Sequence, residues 1–442
     1  MILYGNSALC ANGELCIGGW RASDLKEQFG TPLYVYDEDY IRTSIQSYHN
    51  AFAATGVDYA LAYACKAFCT VAMCQLAREE NAWLDVVSGG ELHTALQAGV
   101  DPAFVYMHGN NKSPDELLYA IKAGIGMVVI DNFYEIELLA ELLEQENATM
   151  DVLLRVSPGV DVHTHEFIAT GRQDSKFGFD LYSGHVDLAI DRLAAFPRIQ
   201  LLGVHSHIGS QIFDADGFRV AASRLASLAA HLGRRYGVWF RILNLGGGMG
   251  VRYTSDDSPI PVNRLVEGIV QAAAASFQEY GIPLPKLMME PGRSIVAQAG
   301  TTLYTVGSRK EMPGVRTYVA VDGGMTDNPR LALYGAKYEA CIANRANDPD
   351  VETVSIAGKC CESGDMLIWD VSLPKPVPGD ILAVSCTGAY NYSMASNYNR
   401  VAKPAVVFVR GSEARLVVER ETAADVCRLD RSLSGLTFTS RG

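Results

Sequence analysis

Lys66 sits in Tyr63-Ala64-Cys65-Lys66-Ala67, at the end of a short apolar run over 59–64 that reads as a buried strand. A lysine there is expected to lose hydration, so that its pKa falls and its amine becomes a nucleophile toward a carbonyl. Later in the chain, Gly246-Gly247-Gly248 lets backbone N–H groups approach an anion closely, and Glu290-Pro291-Gly292-Arg293 can extend such an anion site. A carboxylate such as Glu290 beside a ring nitrogen favours the protonated ring and strengthens it as an electron sink. His207, in His205-Ser206-His207-Ile208-Gly209-Ser210-Gln211, has the shape to lie flat on such a ring. Each has an ordinary alternative: a surface lysine, a common glycine turn, a Glu290–Arg293 ion pair, a hydrogen-bonded loop histidine.

The elements that must position these groups alternate. Short apolar runs at 59–64, 82–87, 104–108, 126–130, 152–156, 201–206, 242–245 and 287–290 predict eight strands. Segments with helical apolar spacing, such as 70–79, 90–98, 115–123 and 133–144, lie between them. The pattern predicts an α/β fold built on a (β/α)8 barrel of the TIM type, with a doubly wound open sheet as its competitor. Polar groups follow every strand: Lys66; Asp85, Ser88 and Glu91; His108; Asp131; Arg155; His207 and Ser210; the three glycines; Glu290 and Arg293. In a barrel those ends share one face, where active sites form. An amine, an anion cradle and a ring-nitrogen carboxylate on that face outline a site for pyridoxal 5'-phosphate (PLP).

Beyond residue 290 the texture changes to turn-separated strands at 302–308, 316–321, 351–357, 380–384, 405–410 and 413–418. These predict a mostly β C-terminal domain that also takes in the N-terminal strands, with 38–292 as the PLP-binding barrel and 1–37 plus 293–442 as the β domain. That second part carries Arg330 and Tyr334, the Cys361-Glu362 pair and Tyr390.

The 442 residues are 48% hydrophobic and 20% charged, enough for two substantial cores. A net charge of −13 argues against nucleic acid or anionic membrane as partner. No apolar run approaches transmembrane length, and the N-terminus lacks the pattern of a secretion signal. Ten scattered cysteines show no zinc spacing, so no metal is expected, and reduced thiols in a cytoplasmic enzyme are.

The ordered set of Lys66, His207-Ile208-Gly209-Ser210-Gln211, Gly246-Gly247-Gly248, Glu290-Pro291-Gly292-Arg293, Cys361-Glu362-Ser363 and Gly388-Ala389-Tyr390 resembles the PLP-dependent decarboxylases of alanine-racemase-like fold. Within them the chain is most similar to the diaminopimelate decarboxylase family. Thr164-His165-Glu166-Phe167-Ile168-Ala169-Thr170-Gly171, running on through Ser175-Lys176-Phe177-Gly178-Phe179, strengthens that similarity, as does Arg330 with Tyr334. The resemblance implies decarboxylation of meso-2,6-diaminopimelate to L-lysine, the last step of lysine biosynthesis. It implies that Lys66 carries PLP, that His207 stacks on the ring and that Glu290 meets its nitrogen. Ser210, Gly246, Gly247, Gly248, Pro291, Gly292, Arg293 and Tyr390 would surround the cofactor, with Asp85 and Glu91 in support. Arg293, Arg330 and Tyr334 would hold the distal carboxylate of the substrate, with Tyr390 near it, and Glu362 its distal ammonium. Cys361 would donate the proton that replaces carbon dioxide, acting with Glu362 across a homodimer interface. Leu331, where the family often has proline, and Phe68, where many relatives have asparagine, are departures. The rival is a decarboxylase of another basic substrate, of ornithine, arginine or carboxynorspermidine type.

Overall fold

The computed structural model describes residues 2–160 and 175–435. The eight strands are Tyr59–Ala64, Trp83–Val86, Val105–Met107, Met127–Ile130, Met150–Ser157, Ile199–His205, Ile242–Asn244 and Lys286–Met289. Neighbours run parallel throughout, and the last pairs with the first, Leu287 opposite Tyr59 and Met289 opposite Leu61. That pairing closes the barrel and excludes the open sheet. The helices Val71–Glu79, Gly89–Gln97, Pro114–Ala123 and Phe133–Gln145 lie between strands, and each starts on a polar cap: Thr70, Ser88, Ser113 or Asn132 accepts a backbone N–H of the first turn.

The barrel interior has an apolar floor of Ala62, Tyr106, Met127, Val129, Leu153, Leu202 and Met288. Side chains two apart on a strand share a face. One step beyond this floor the same face turns polar: His108 follows Tyr106, Asp131 follows Val129, Arg155 follows Leu153, and Glu290 follows Met288. The sixth strand breaks that period, because its register shifts between Leu201 and Gly203. The extra residue lets Leu202 join the floor and His205 still face inward. Gly203 fits the bulge because a Cβ there would meet the Ile242 carbonyl oxygen at 1.9 Å.

The second sheet runs Met366–Pro374, Val351–Ala357, Arg316–Val321, Gly300–Met312, Leu33–Asp37, Ala405–Arg410, Glu413–Val418, with Ala340–Ile342 and Ile381–Ser385 branching from it. The N-terminal strand Leu33–Asp37 is thus part of the β domain. Ala8–Leu9, Leu15–Ile17 and Trp20–Arg21 form a small sheet of their own. Leu15, Ile17 and Leu25 pack into one core with Leu33, Leu303 and Val407. Met366–Pro374 and Ala340–Ile342 were not anticipated.

The expectation of ten reduced thiols is corrected. Cys10 and Cys16 are bonded, because the antiparallel pairing of Ala8–Leu9 with Leu15–Ile17 brings their Cα atoms to 6.3 Å. Among the described residues no helix is long and apolar enough to cross a membrane.

Candidate active site at the barrel mouth

Lys66 lies in a single helical turn, Cys65–Ala67, directly after the first strand. It lines one cleft with His207, Ser210, Gly247, Gly248, Glu290, Gly292, Arg293 and Tyr390, which come from the ends of three other strands and the β domain. The turn is pinned from both sides. The Ala67 carbonyl accepts from the Tyr390 N–H at 2.8 Å and the Ser393 hydroxyl at 2.9 Å, which brings a β-domain loop over the barrel mouth. Ala64 donates its N–H to the Pro291 carbonyl at 3.2 Å. Gly292 passes so close that a Cβ would sit 3.0 Å from the Ala64 carbonyl oxygen. Phe68 packs away from the cleft, stacked on Tyr36 with centroids 4.4 Å apart. The expected loss of hydration at Lys66 is corrected: its side chain is exposed, because the chain leaves the strand at Ala64 and turns, so that the lysine opens onto the cleft.

The glycine run works by closeness. Cβ atoms on Gly247 and Gly248 would meet the carbonyl oxygens of Glu290 at 2.1 Å and Gly209 at 2.2 Å. Gly246 and Gly248 also take φ of +70° and +109°. Two of the three N–H groups have internal partners: Gly246 donates to Asn244 Oδ1 at 2.9 Å and Gly247 to His207 Nδ1 at 3.3 Å. The second bond fixes the His207 tautomer with its proton on Nε2. Burial, with Lys66 and Arg155 nearby, holds His207 well below the ordinary histidine range, so the ring is neutral.

Beneath the cleft, Glu290 is buried and surrounded by donors. Its Oε1 accepts from the Tyr106 hydroxyl at 2.6 Å, Asn244 Nδ2 at 2.7 Å and His108 Nε2 at 2.9 Å; Oε2 accepts from His205 Nε2 at 3.1 Å. Burial pushes its pKa up, but His205 and His108 outweigh that and hold it well below the carboxylate range. Asp85 behaves oppositely. Burial, then Glu290, push it up to about 8, and His108 Nε2 stands 3.6 Å from its Oδ1. One carboxyl is therefore ionised and its neighbour protonated at neutral pH. Glu91 is engaged at its own helix start, where it accepts the Val87 N–H at 2.6 Å.

Two buried arginines meet on one phenol. Arg293 Nη1 donates to the Tyr253 hydroxyl at 2.6 Å, and Arg330 Nη1 to the same oxygen at 2.7 Å. Arg293 also donates to Ser210 Oγ at 2.9 Å, and Arg330 to the Tyr338 hydroxyl at 3.2 Å. Neither guanidinium has a carboxylate partner among the described residues, and both Nε atoms are buried without a hydrogen bond. The Arg293 guanidinium lies over the Tyr390 ring at 4.7 Å.

A family model described as "Pyridoxal-dependent decarboxylase, pyridoxal binding domain" matches residues 38–297. The diaminopimelate decarboxylase of Bacillus subtilis is 55% identical over 97% of this chain and 98% of its own. That of Halalkalibacterium halodurans is 52% identical over 98% and 99%. A crystal structure of the M. jannaschii enzyme in complex with L-lysine superposes with a TM-score of 0.90 at 34% identity, covering 96% of this chain and 98% of that one. The chain belongs to the diaminopimelate decarboxylase family.

As a member of this family of decarboxylases it is an enzyme that uses PLP. The cleft fits that group. Its glycine shelf admits no side chain, the Arg293 guanidinium is free of carboxylates among the described residues, and an ionised glutamate lies below. Other predicted residues lie outside the cleft lining. Cys361 and Glu362 are exposed, on a loop where the Asp365 carboxylate accepts the N–H groups of Cys360 and Met325. The Cys361 N–H is held by Asn399 Oδ1 at 2.9 Å. Tyr334 is half-buried at the end of the helix Arg330–Tyr334. The stretch 164–171 lies outside the described residues. Sequence reasoning missed Tyr106, Asn244, Tyr253 and Tyr338. Tyr106 and Asn244 had a signal, each standing two residues before a named strand-end group; Tyr253 and Tyr338 had none.

Proposed function

We propose that this decarboxylase converts meso-2,6-diaminopimelate to L-lysine. The carrying observation is the pair of buried guanidiniums, Arg293 and Arg330, joined through Tyr253 with no carboxylate among the described residues to neutralise them. Arg293 with Ser210 suits the cofactor phosphate, which leaves Arg330 for a second anion. A diamine precursor such as ornithine has no second carboxylate, whereas diaminopimelate has one at its far end. Charge-assisted pairing of Arg330 with that group would be bidentate and selective. The names of the relatives and the lysine-bound neighbour support the same reading.

Bound PLP supplies an aldehyde for an amine and a sink for the electrons left when carbon dioxide departs. The residues of this chain supply the rest. Lys66 would hold the cofactor and yield it to the amine of the substrate. Neutral His207, oriented by the Gly247 N–H, would cover one ring face. Ionised Glu290 would keep a proton on the ring nitrogen; its Oε2 takes one donor from the chain, against three at Oε1, and so keeps acceptor capacity. We further infer a cytoplasmic homodimer in which Cys361 and Glu362 complete the partner's cleft. Their exposure on an ordered loop supports this. Cys361 would then deliver the proton that replaces carbon dioxide, and Glu362 would hold the distal ammonium.

Carbon dioxide release, measured separately with meso-diaminopimelate, ornithine, arginine and carboxynorspermidine, tests the reading. It predicts turnover of the first, with the others lower by about tenfold or more, as expected for leaving a buried charge unpaired. Preferred turnover of a substrate without a distal carboxylate would contradict it.

A further inference from the structure

The sulfur atoms of Cys65, Cys69 and Cys74 all lie within 4.8 Å of one another. They come from separate steps of the chain. Cys65 opens the turn that carries Lys66, Cys69 stands in the link after it, and Cys74 is in the helix Val71–Glu79. Cys65 and Cys74 are buried and Cys69 is half-buried, so of the three Cys69 is the one partly open to solvent. None of the three lines the cleft.

Core packing asks only that a sulfur touch its neighbours. Three sulfurs all within 4.8 Å of one another are close enough to share one ion. With metal–sulfur bonds of about 2.3 Å, thiolates stand about 3.8 Å apart in a tetrahedral site and about 4.0 Å in a trigonal one. The trio therefore needs to close by about 1 Å or less, within reach of side-chain rotation. Soft thiolate sets select Cu+ and Zn2+ over hard cations.

We propose that Cys65, Cys69 and Cys74 form a three-thiolate binding site for a thiophilic d10 cation, either Cu+ in trigonal coordination or Zn2+ with water as a fourth ligand. Each thiol releases its proton on coordination. The ion ties the residue before Lys66 to the helix that follows, and so braces the turn bearing the catalytic lysine.

Alkylation mapping of the whole, PLP-loaded, reduced protein tests this. One equivalent of Zn2+ or of Cu+ is added, iodoacetamide follows, and each cysteine is read by mass spectrometry. Cys69, the member open to solvent, should be alkylated about tenfold more slowly with metal, and Cys427 should be unchanged. Protection by one ion alone identifies the cation. In chelator competition, Cys69→Ser and Cys74→Ser should each weaken binding about tenfold or more. Protection by neither ion, protection confined to Cys10 and Cys16 or to Cys360 and Cys361, or unchanged affinity in both folded variants would overturn the proposal. The wild-type mapping stands whether or not the variants fold.

Discussion

Glu290 and Arg330 are both buried charges at the mouth of the barrel, and the fold treats them in opposite ways. Glu290 receives four hydrogen bonds from the chain itself, from Tyr106, His108, His205 and Asn244. Arg330 receives two phenol oxygens, shares one of them with Arg293, and keeps a buried Nε without a partner. Burial works against its charge, but Tyr253 and Tyr338 outweigh that and hold it above the ordinary arginine range. Leaving a buried donor unmatched costs about 1–3 kcal/mol. The fold satisfies its carboxylate from within the chain and leaves its two guanidiniums without a carboxylate among the described residues.

The comparison breaks most readily at Glu290. Glu290→Gln keeps the shape but removes the charge that, on the proposed mechanism, would keep the ring nitrogen protonated. Turnover should fall ~10²-fold or more, the usual scale for losing a preorganised electrostatic group. Steady-state kinetics with saturating PLP would show this as a loss in kcat. A near-normal kcat would mean that the carboxylate serves packing alone.

At the other end, Arg330→Met should act on binding. KM for meso-diaminopimelate should rise about 10–100-fold while kcat changes less, as for loss of a charged hydrogen-bonded pair. An equal fall in kcat with unchanged KM would move Arg330 into the chemical step.

Asp85 sharpens the contrast with its ionised neighbour through stability rather than turnover. Its folded pKa of about 8 lies above the unfolded value of about 3.9. Between these values the folded state holds a proton that the unfolded state has released, so this group's stabilising contribution falls as pH rises from about 4 to about 8. Asp85→Asn has no such proton. In PLP-free protein, the melting temperature of the variant relative to wild type should climb by a few degrees across that window. A pH-independent difference would remove Asp85 from the titration.

The strand ends were the legible part of this molecule. Period-two alternation carries Tyr106 to His108 and Met288 to Glu290 on one inward face, and a closed parallel sheet gathers such ends at one mouth. The Met366–Pro374 strand was hidden because Asp370 takes φ of +50° and breaks its alternation. Ala340–Ile342 is too short to show a period. Tyr253 and Tyr338 follow no strand pattern; only the tertiary fold brings their hydroxyls to the arginines. Glycines 246 and 247 read as open anion donors, yet their N–H groups serve Asn244 and His207, which local sequence cannot reveal.

The most direct test is hydride trapping. Borohydride reduction of the PLP-loaded protein, followed by peptide mapping, should place the pyridoxyl mass on Lys66, in the peptide that also holds Cys65. Label on another lysine, or no label in protein that releases carbon dioxide from meso-diaminopimelate, would contradict the assignment of this cleft.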